Sequence, residues 1–257
     1  MLIKEPNYLA LFAKSFNWAG YFLPQDTYEE CSKLYAFCRV LDDIADAEEH
    51  LKIKKERFKK LKETFKEIKH QSKNELQTWT FEKYKVVISD MVVVSDYKKI
   101  PESVIQDLVD GVESDLREEI EFNSEKELLV YSYRVAGTVG LMMAKILDVA
   151  DKRALKGAID LGIAMQLTNI SRDVVEDYTM NREYIKDDFE NIKSTLKLAD
   201  MFYESSFSSL KKISIRYRFA IIVARRVYRQ IGREIIKKKN IENYKKSGKI
   251  YVNNFGK

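Results

Sequence analysis

The sequence predicts an all-α protein built as one domain over residues 1–257. Apolar residues recur at spacings of three and four along long stretches, which is the period of a helix with one buried face. The chain contains only 9 Gly and 3 Pro, and Pro101 is the last proline, so most of its length lacks the residues that end strands and shape turns. The sequence has no strand-like alternation, internal repeat or low-complexity linker. With 45% hydrophobic residues, the chain is long enough to bury one large core.

The first predicted helix follows Pro24, with Asp26 or Thr27 as its N-cap and apolar positions at helical spacing as far as Ala45. Further helices are predicted at 52–69, from 101 to beyond 112, at 127–147, at 154–177 and at 205–239, the last with Gly232 inside it. The segments 127–147 and 154–177 are long and largely apolar, so we expect them at the centre of the bundle.

The sequence argues against a secreted or membrane-spanning protein. Cys31 and Cys38 lie seven residues apart in one predicted helix and indicate no disulfide framework, which favours a reducing compartment. The start of the chain lacks the apolar core of a signal peptide, and the longest apolar span, RFAIIVARRV at 218–227, is too short and too charged to cross a bilayer. We therefore expect a cytoplasmic protein that is soluble or peripheral to a membrane.

Positive charge is concentrated at the C-terminal end. Residues 211–257 contain 15 Lys and Arg against 2 acidic residues, whereas residues 1–210 contain 30 against 38. Such a basic region fits peripheral contact with the anionic inner face of the cytoplasmic membrane, contact with nucleic acid, or a solvated helical face. The charge pattern alone leaves these three interpretations open.

Two rows of oxygen-bearing side chains stand out within the predicted helices. Asn169, Asp173 and Asp177 are four residues apart, and Asp42 and Asp46 repeat this spacing in another helix. Positions i, i+4 and i+8 of a helix lie on one face, so each row repels itself unless a positive charge is close. Both rows lie in strongly apolar helices, so we expect their carboxylates to be buried and either neutralised or bound to metal.

The residue types in the two rows favour magnesium. Zinc is disfavoured because the chain has only 2 His and 2 Cys, and a di-iron site would need a second copy of the Glu67–His70 motif. Hard oxygen ligands suit Mg²⁺, with Mn²⁺ as the alternative, and Mg²⁺ commonly bridges carboxylates to substrate phosphates. Three arginines could grip such phosphates: Arg39, Arg172 and Arg182. GTVG at 137–140 lacks the Lys of a phosphate-binding loop, and we expect it to let two helices approach closely.

Five motifs follow one another in an order that resembles one enzyme family. They are KSFNWAGYFLP at 14–24, YAFCRVLDDIAD at 35–46, DGVESDL at 110–116, YSYRVAGTVGLMM at 131–143 and QLTNISRDVVED at 166–177. On these motifs the chain resembles the squalene/phytoene synthases, all-α enzymes that join two isoprenoid diphosphates head to head. The last motif is most similar to bacterial phytoene synthases. The resemblance implies a helical bundle of the isoprenoid synthase type with a central cavity.

The resemblance also implies roles for individual residues. The implied metal ligands are Asp42, Asp46, Asn169, Asp173 and Asp177. The implied catalytic residues are the aspartates of that set together with Tyr131 and Tyr228, which match positions near the reacting centre. The implied substrate-binding residues are Asn169, Tyr35, Arg39, Gln166, Arg172, Arg182 and Tyr184 at the diphosphate end, and Ser15, Phe16, Gly20, Ala136, Gly137 and Gly140 along the substrate.

The reaction implied by the resemblance is the condensation of two geranylgeranyl diphosphates. It passes through a cyclopropylcarbinyl (prephytoene) diphosphate to phytoene in carotenoid biosynthesis. Gly20 favours C20 chains, because a bulky aromatic residue there would shorten the tunnel to fit C15 chains. The alternatives are a C15-using dehydrosqualene, squalene or hydroxysqualene synthase, with NADPH expected only for squalene, and a non-catalytic prenyl-lipid-binding or membrane-associated helical protein. A downstream desaturase is a candidate partner, and nucleic acid is not expected.

Overall fold

The computed structural model describes residues 23–70 and 82–252. These residues form α1 (Gln25–Ala45), α2 (Leu51–His70), α3 (Glu82–Tyr97), α4 (Glu102–Glu113), β1 (Ile120–Glu121), α5 (Glu125–Ser132), a π-helical turn (Tyr133–Gly137), α6 (Thr138–Ile146), α7 (Lys152–Thr179), β2 (Arg182–Glu183), α8 (Phe189–Ser209), a 3₁₀ turn (Leu210–Lys212), α9 (Ile215–Ile236) and α10 (Ile241–Lys246). The predicted all-α class is confirmed. Three predicted substrate residues lie outside the described residues: Ser15, Phe16 and Gly20.

Local sequence signals explain where several helices begin. Ser124 caps α5 by accepting a hydrogen bond from the backbone N–H of Glu127, whose side chain accepts in turn from the backbone N–H of Asn123. Asp151 caps α7 by accepting hydrogen bonds from the backbone N–H groups of Arg153 and Ala154. The predicted N-cap of α1 was wrong, because the N-cap residue is Pro24, whose ψ of 150° is not helical, and the helix begins at Gln25.

Helix α7 lies at the centre of the bundle, as predicted. It packs against α6, α8, α9 and the π-helical turn, and its burial is distributed around the whole helix rather than along one stripe. Glycines allow this close packing. A Cβ on Gly140 would lie 2.1 Å from the carbonyl oxygen of Ala158, and a Cβ on Gly162 would lie 2.2 Å from that of Ala136. The expectation that the GTVG segment brings two helices together is therefore confirmed.

The structure differs from the predicted elements in four places. The segment 127–147 is not one α-helix, because the π-helical turn interrupts it, and such turns are frequent at functional sites. The predicted single helix at 205–239 is instead the end of α8, which already begins at Phe189, and the separate helix α9, with a break at Leu210–Ser214. Helices α3 and α10 were not predicted. The strands β1 and β2 were also missed, since each has only two residues and their parallel pairing joins distant parts of the chain.

Within the part of the chain that the structure describes, no helix is both long and apolar enough to cross a membrane.

Candidate functional site

The two predicted rows of acidic residues face one another at one end of the bundle. Asp42 and Asp46 end α1, and Asp173 and Asp177 lie in the last turns of α7. Arg182, in the strand that follows α7, reaches across and donates from Nη1 and Nη2 to Oδ1 of Asp46, each at 3.1 Å. The charge of Arg182 also partly opposes the loss of hydration that raises the pKa of Asp177, so this arginine lies between the two rows, which are far apart in sequence.

The carboxylates are less buried than the sequence predicted. Asp42 and Asp46 are exposed, and Asp173 and Asp177 are only partly buried. The apolar neighbours on α1, such as Leu41 and Ile44, are fully buried because they point to the opposite side of the helix. The rows therefore lie beside the core and not inside it, and the space between them is called the cleft below.

The cleft disfavours an uncompensated negative charge. Although the Asp42 side chain is exposed, the protein atoms crowded around it displace water and, with the charge of Asp46, raise its pKa to about 7. Loss of hydration also raises the pKa of Asp177 to about 7, with a smaller contribution from Asp173 and an opposing one from Arg182. Both rows would thus be stabilised by additional positive charge at neutral pH.

Basic side chains neutralise part of this charge. Arg172 holds both carboxylate oxygens of Asp173, with Nε and Nη2 at 2.8 and 2.5 Å. The Nζ of Lys249 lies 3.4 Å from Oδ1 of Asp173 and also pairs with Glu176. Tyr244 fixes the C-terminal segment beside α7 by donating its hydroxyl proton to the carbonyl oxygen of Arg172 at 2.7 Å.

On the first row, Arg39 pairs with Asp43 at 2.7 Å. Asp43 is the second residue of the Asp-Asp pair in the motif at 35–46. It follows Arg39 by four residues, and this spacing was the sequence signal for the ion pair. The motif therefore contains the ion-pair partner of Arg39 as well as the carboxylates of the row.

A second group, made of Asp115, Tyr131 and Tyr184, lies beside the rows. The hydroxyls of Tyr131 and Tyr184 are 2.8 Å from Oδ2 and Oδ1 of Asp115, and the two hydroxyl oxygens are 3.0 Å apart. The tyrosine rings stack at 4.8 Å, and Phe122 packs against each of them at 5.4 Å. The pairing of β1 with β2 creates this group, because it places Tyr184 next to the chain that carries Phe122.

Asp115 is the residue that the sequence interpretation missed. Loss of hydration raises its pKa, and the Tyr131 and Tyr184 hydroxyls partly oppose that rise. Its charge in turn contributes to the raised pKa values of Asp42 and Asp177, which places it near both rows. The only sequence signal for it was its position in the motif at 110–116.

The donor atoms of the two rows fit a hard divalent cation. Among the described residues, the Oδ1 of Asn169 is buried and accepts no hydrogen bond, so this oxygen is available as a ligand. No group of three or more His, Cys, Asp or Glu side chains within residues 23–70 and 82–252 is close enough to hold a metal by itself. Mg²⁺ often takes only one or two carboxylates and completes its shell with water and phosphate oxygens, so the separated rows suit such an ion.

The other predicted residues lie in three places. Tyr35 and Tyr228 lie near one another and near the rows, since the pKa of Tyr35 responds to Asp42 and Tyr228 and the pKa of Tyr228 responds to Arg172 and Asp173. Gln166 is half-buried on α7. A Cβ on Gly137 or Gly140 would point toward α7, and the backbone of Ala136 contacts Gly162 of α7. These positions therefore set the distance between α7 and the segment before it. Their predicted contact with substrate stays a prediction.

Comparison with known proteins shows similarity to one enzyme family. The sequence profile described as squalene/phytoene synthase matches residues 9–189. The chain is 29% identical to a 15-cis-phytoene synthase from a Paracoccus species over 248 residues, covering 88% of this chain and 79% of the relative. It is 30% identical to the 4,4'-diapophytoene synthase of Staphylococcus haemolyticus over 269 residues, covering 96% and 90%.

Solved structures give the same fold. A dehydrosqualene synthase determined in complex with a ligand superimposes with a TM-score of 0.73 at 27% identity, covering 91% of this chain and 84% of the other. A squalene synthase from Alicyclobacillus acidocaldarius gives a TM-score of 0.72 at 14% identity, covering 91% and 90%, which supports the fold alone. The profile match, the fold and the two facing acidic rows together place the chain in the squalene/phytoene synthase family.

Proposed function

We propose that this protein is a prenyltransferase that joins two molecules of geranylgeranyl diphosphate head to head to give phytoene, with prephytoene diphosphate as the intermediate and diphosphate released. The observation that carries the proposal is the pair of acidic rows on α1 and α7, bridged by Arg182. Its relatives named as phytoene synthases support a prenyl diphosphate substrate.

The proposed cofactor is Mg²⁺, held by the oxygen atoms of Asp42, Asp46, Asn169, Asp173 and Asp177. Bound there, it would supply positive charge to the diphosphate and so promote its departure. The raised pKa values of Asp42 and Asp177 support this assignment, because a cation would remove the cost of keeping both rows ionised.

The basic residues of the cleft would exchange partners when substrate binds. Arg172, Arg182 and Lys249 are each paired with a carboxylate. A diphosphate offers oxygens in a geometry that suits these donors, while the released carboxylates become available to the cation. The exchange would give each of these basic side chains an anionic partner both before and after binding.

Coupling of the two chains requires a proton acceptor. When the double bond of the second chain attacks the allylic cation, closing the cyclopropane ring releases one proton from carbon. We assign its acceptance to the hydroxyl oxygen of Tyr131, whose own proton passes to Asp115 along their 2.8 Å hydrogen bond. The buried rings of Tyr131 and Tyr184 present aromatic surface that can stabilise nearby cations.

The choice of C20 rather than C15 chains depends on Gly20, which lies outside the described residues. The relatives include both phytoene synthases and a diapophytoene synthase, so they are compatible with either length. The experiment is to incubate the purified protein with Mg²⁺ and either farnesyl or geranylgeranyl diphosphate, with and without NADPH, and to identify the extracted hydrocarbon by mass spectrometry. Phytoene formed from geranylgeranyl diphosphate without NADPH is the expected product, to be consumed by a desaturase.

A matched pair of variants on α1 tests the site itself. Asp42→Asn removes a carboxylate of the first row and should abolish product formation, whereas Asp26→Asn makes the same change at an exposed position at the start of that helix and should not. C30 products alone would refute the chain-length proposal while leaving the reaction type intact. No product from either substrate would favour a non-catalytic prenyl-lipid-binding protein.

A further inference from the structure

Several cations of the basic C-terminal region are occupied within the fold. Arg225 is buried and donates from Nε and Nη2 to the carbonyl oxygen of Tyr203 at 3.1 and 3.0 Å. Arg229 pairs with Asp200 at 2.8 Å and with Glu204 at 2.5 Å. Lys249 is held in the cleft described above. These residues join α9 and the C-terminal segment to the rest of the bundle and are not free to attract an external partner.

The α9 outer face consists of Ile215, Phe219, Arg226 and Arg233, and its two arginines are among the remaining cations of the region. Their spacing of i, i+4, i+11 and i+18 brings all four to one side of the helix. All four side chains are exposed. The opposite side of the helix is buried and carries Ala220, Ala224, Val227, Ile231 and Ile235.

More cations surround the first turn of this face. Lys211, Lys212 and Arg216 are exposed where the 3₁₀ turn leads into α9. Neither these three residues nor the two arginines of the face form an ion pair with any carboxylate in the part of the chain that the structure describes. Uncompensated positive charge therefore extends from the 3₁₀ turn through Arg216 to Arg233, along about five turns of α9.

The same face carries exposed apolar side chains. Ile215 is 76% exposed and Phe219 is 53% exposed, both in the first two turns beside the cations. A surface made only of lysine and arginine would suit any polyanion, including nucleic acid. Large apolar side chains among the cations suit a lipid surface, because they can leave water at the boundary between headgroups and acyl chains while the cations attract anionic lipids.

We propose that the α9 outer face, together with Lys211, Lys212 and Arg216, docks this protein on the surface of an anionic lipid bilayer. The contact is independent of the proposed reaction. It would bring the enzyme to the apolar phase in which a water-insoluble hydrocarbon product dissolves.

The test is sedimentation of the full-length protein with vesicles of phosphatidylcholine alone and of phosphatidylcholine with phosphatidylglycerol. Each basic side chain near an anionic surface strengthens binding by about fivefold. Neutralising both arginines of the face, Arg226→Gln with Arg233→Gln, should weaken partition onto the anionic vesicles by about 25-fold. The matched control is Lys52→Gln with Lys55→Gln, which removes the same charge from exposed positions on α2 and should change partition less than twofold.

A third variant, Ile215→Ser, tests the apolar contribution and should weaken binding at high salt, where charge attraction is screened. Circular dichroism and product formation in detergent report separately on the fold and on the reaction. Equal binding to neutral and anionic vesicles, or an equal loss in the α2 control, would overturn the proposal. Absence of vesicle binding would overturn it as well, and is the result expected if the face is merely solvated or docks on another protein.

Discussion

Replacing Asp115 by asparagine should separate catalysis from stability. The carboxylate accepts hydrogen bonds from Tyr131 and Tyr184, each at 2.8 Å. An amide in its place can accept from only one of them. A hydrogen bond to a charged group contributes about 1.5–3 kcal/mol, but Asp115→Asn also relieves the loss of hydration that raises the pKa of this carboxyl group. We expect these effects nearly to cancel, leaving the free energy of unfolding within about 1 kcal/mol of that of the wild type.

The effect on the reaction should be much larger. Asparagine cannot take the proton that Tyr131 passes on, and loss of such a proton acceptor typically costs about 10²–10⁴-fold in rate. This corresponds to about 3–5 kcal/mol in the activation barrier. The measurements are kcat for hydrocarbon formation from geranylgeranyl diphosphate, and unfolding by denaturant. Because Tyr131 and Asp115 act as one unit, the double variant with Tyr131→Phe should be no slower than the slower single variant.

The matched control is Asp107→Asn, which alters another tyrosine–aspartate pair. The Tyr133 hydroxyl is 3.2 Å from Asp107, and neither residue is assigned a part in the reaction. This variant should retain wild-type kcat. The reasoning would be refuted if Asp115→Asn kept wild-type kcat, or if Asp107→Asn lost as much activity.

Three further predictions concern charge and packing. The pKa values of Asp42 and Asp177 are raised from 3.8 to about 7, so the stability that their neutral forms contribute is full below pH 4 and is lost as the pH rises through 7. Without divalent cations the melting temperature should therefore fall between pH 5 and 8, and a fall of the same size with saturating Mg²⁺ would contradict the assignment. Lys249→Met should tighten Mg²⁺ binding, measured by calorimetry without diphosphate, by up to about fivefold, because the lysine no longer competes for Asp173 at this partly exposed position. Unchanged affinity would show that the lysine does not compete. Gly140→Ala should destabilise the fold by about 1–3 kcal/mol or more in denaturant unfolding, because its Cβ would lie 2.1 Å from a backbone oxygen of α7. Gly232→Ala, which meets only a flexible leucine side chain at 3.1 Å, is the control and should be close to neutral, and equal losses in the two variants would argue against the packing explanation.

Helices α7, α8 and α9 show which features of the fold the apolar periodicity of the sequence can predict. The prediction for 154–177 is close to the observed Lys152–Thr179, because strong apolar content and a good N-cap are local properties. The break between α8 and α9 was missed because the sequence on both sides keeps helical spacing, and the turn at Leu210–Lys212 depends on how each helix packs on α7. Likewise, the π-helical turn carries no propensity signal of its own.

The sequence predicted which residues form the acidic rows of the site, whereas the tertiary structure was needed for their arrangement. The sequence by itself determined the two acidic rows and their attachment to separate helices, because a four-residue spacing fixes which side chains share a helix face. It also indicated the all-α class. Only the tertiary structure decided that the rows face one another across Arg182, that they lie outside the core, and that Asp115 joins Tyr131 and Tyr184. These contacts link residues that are between 16 and 136 positions apart, and such pairings depend on how helices pack, which spacing along one helix does not encode.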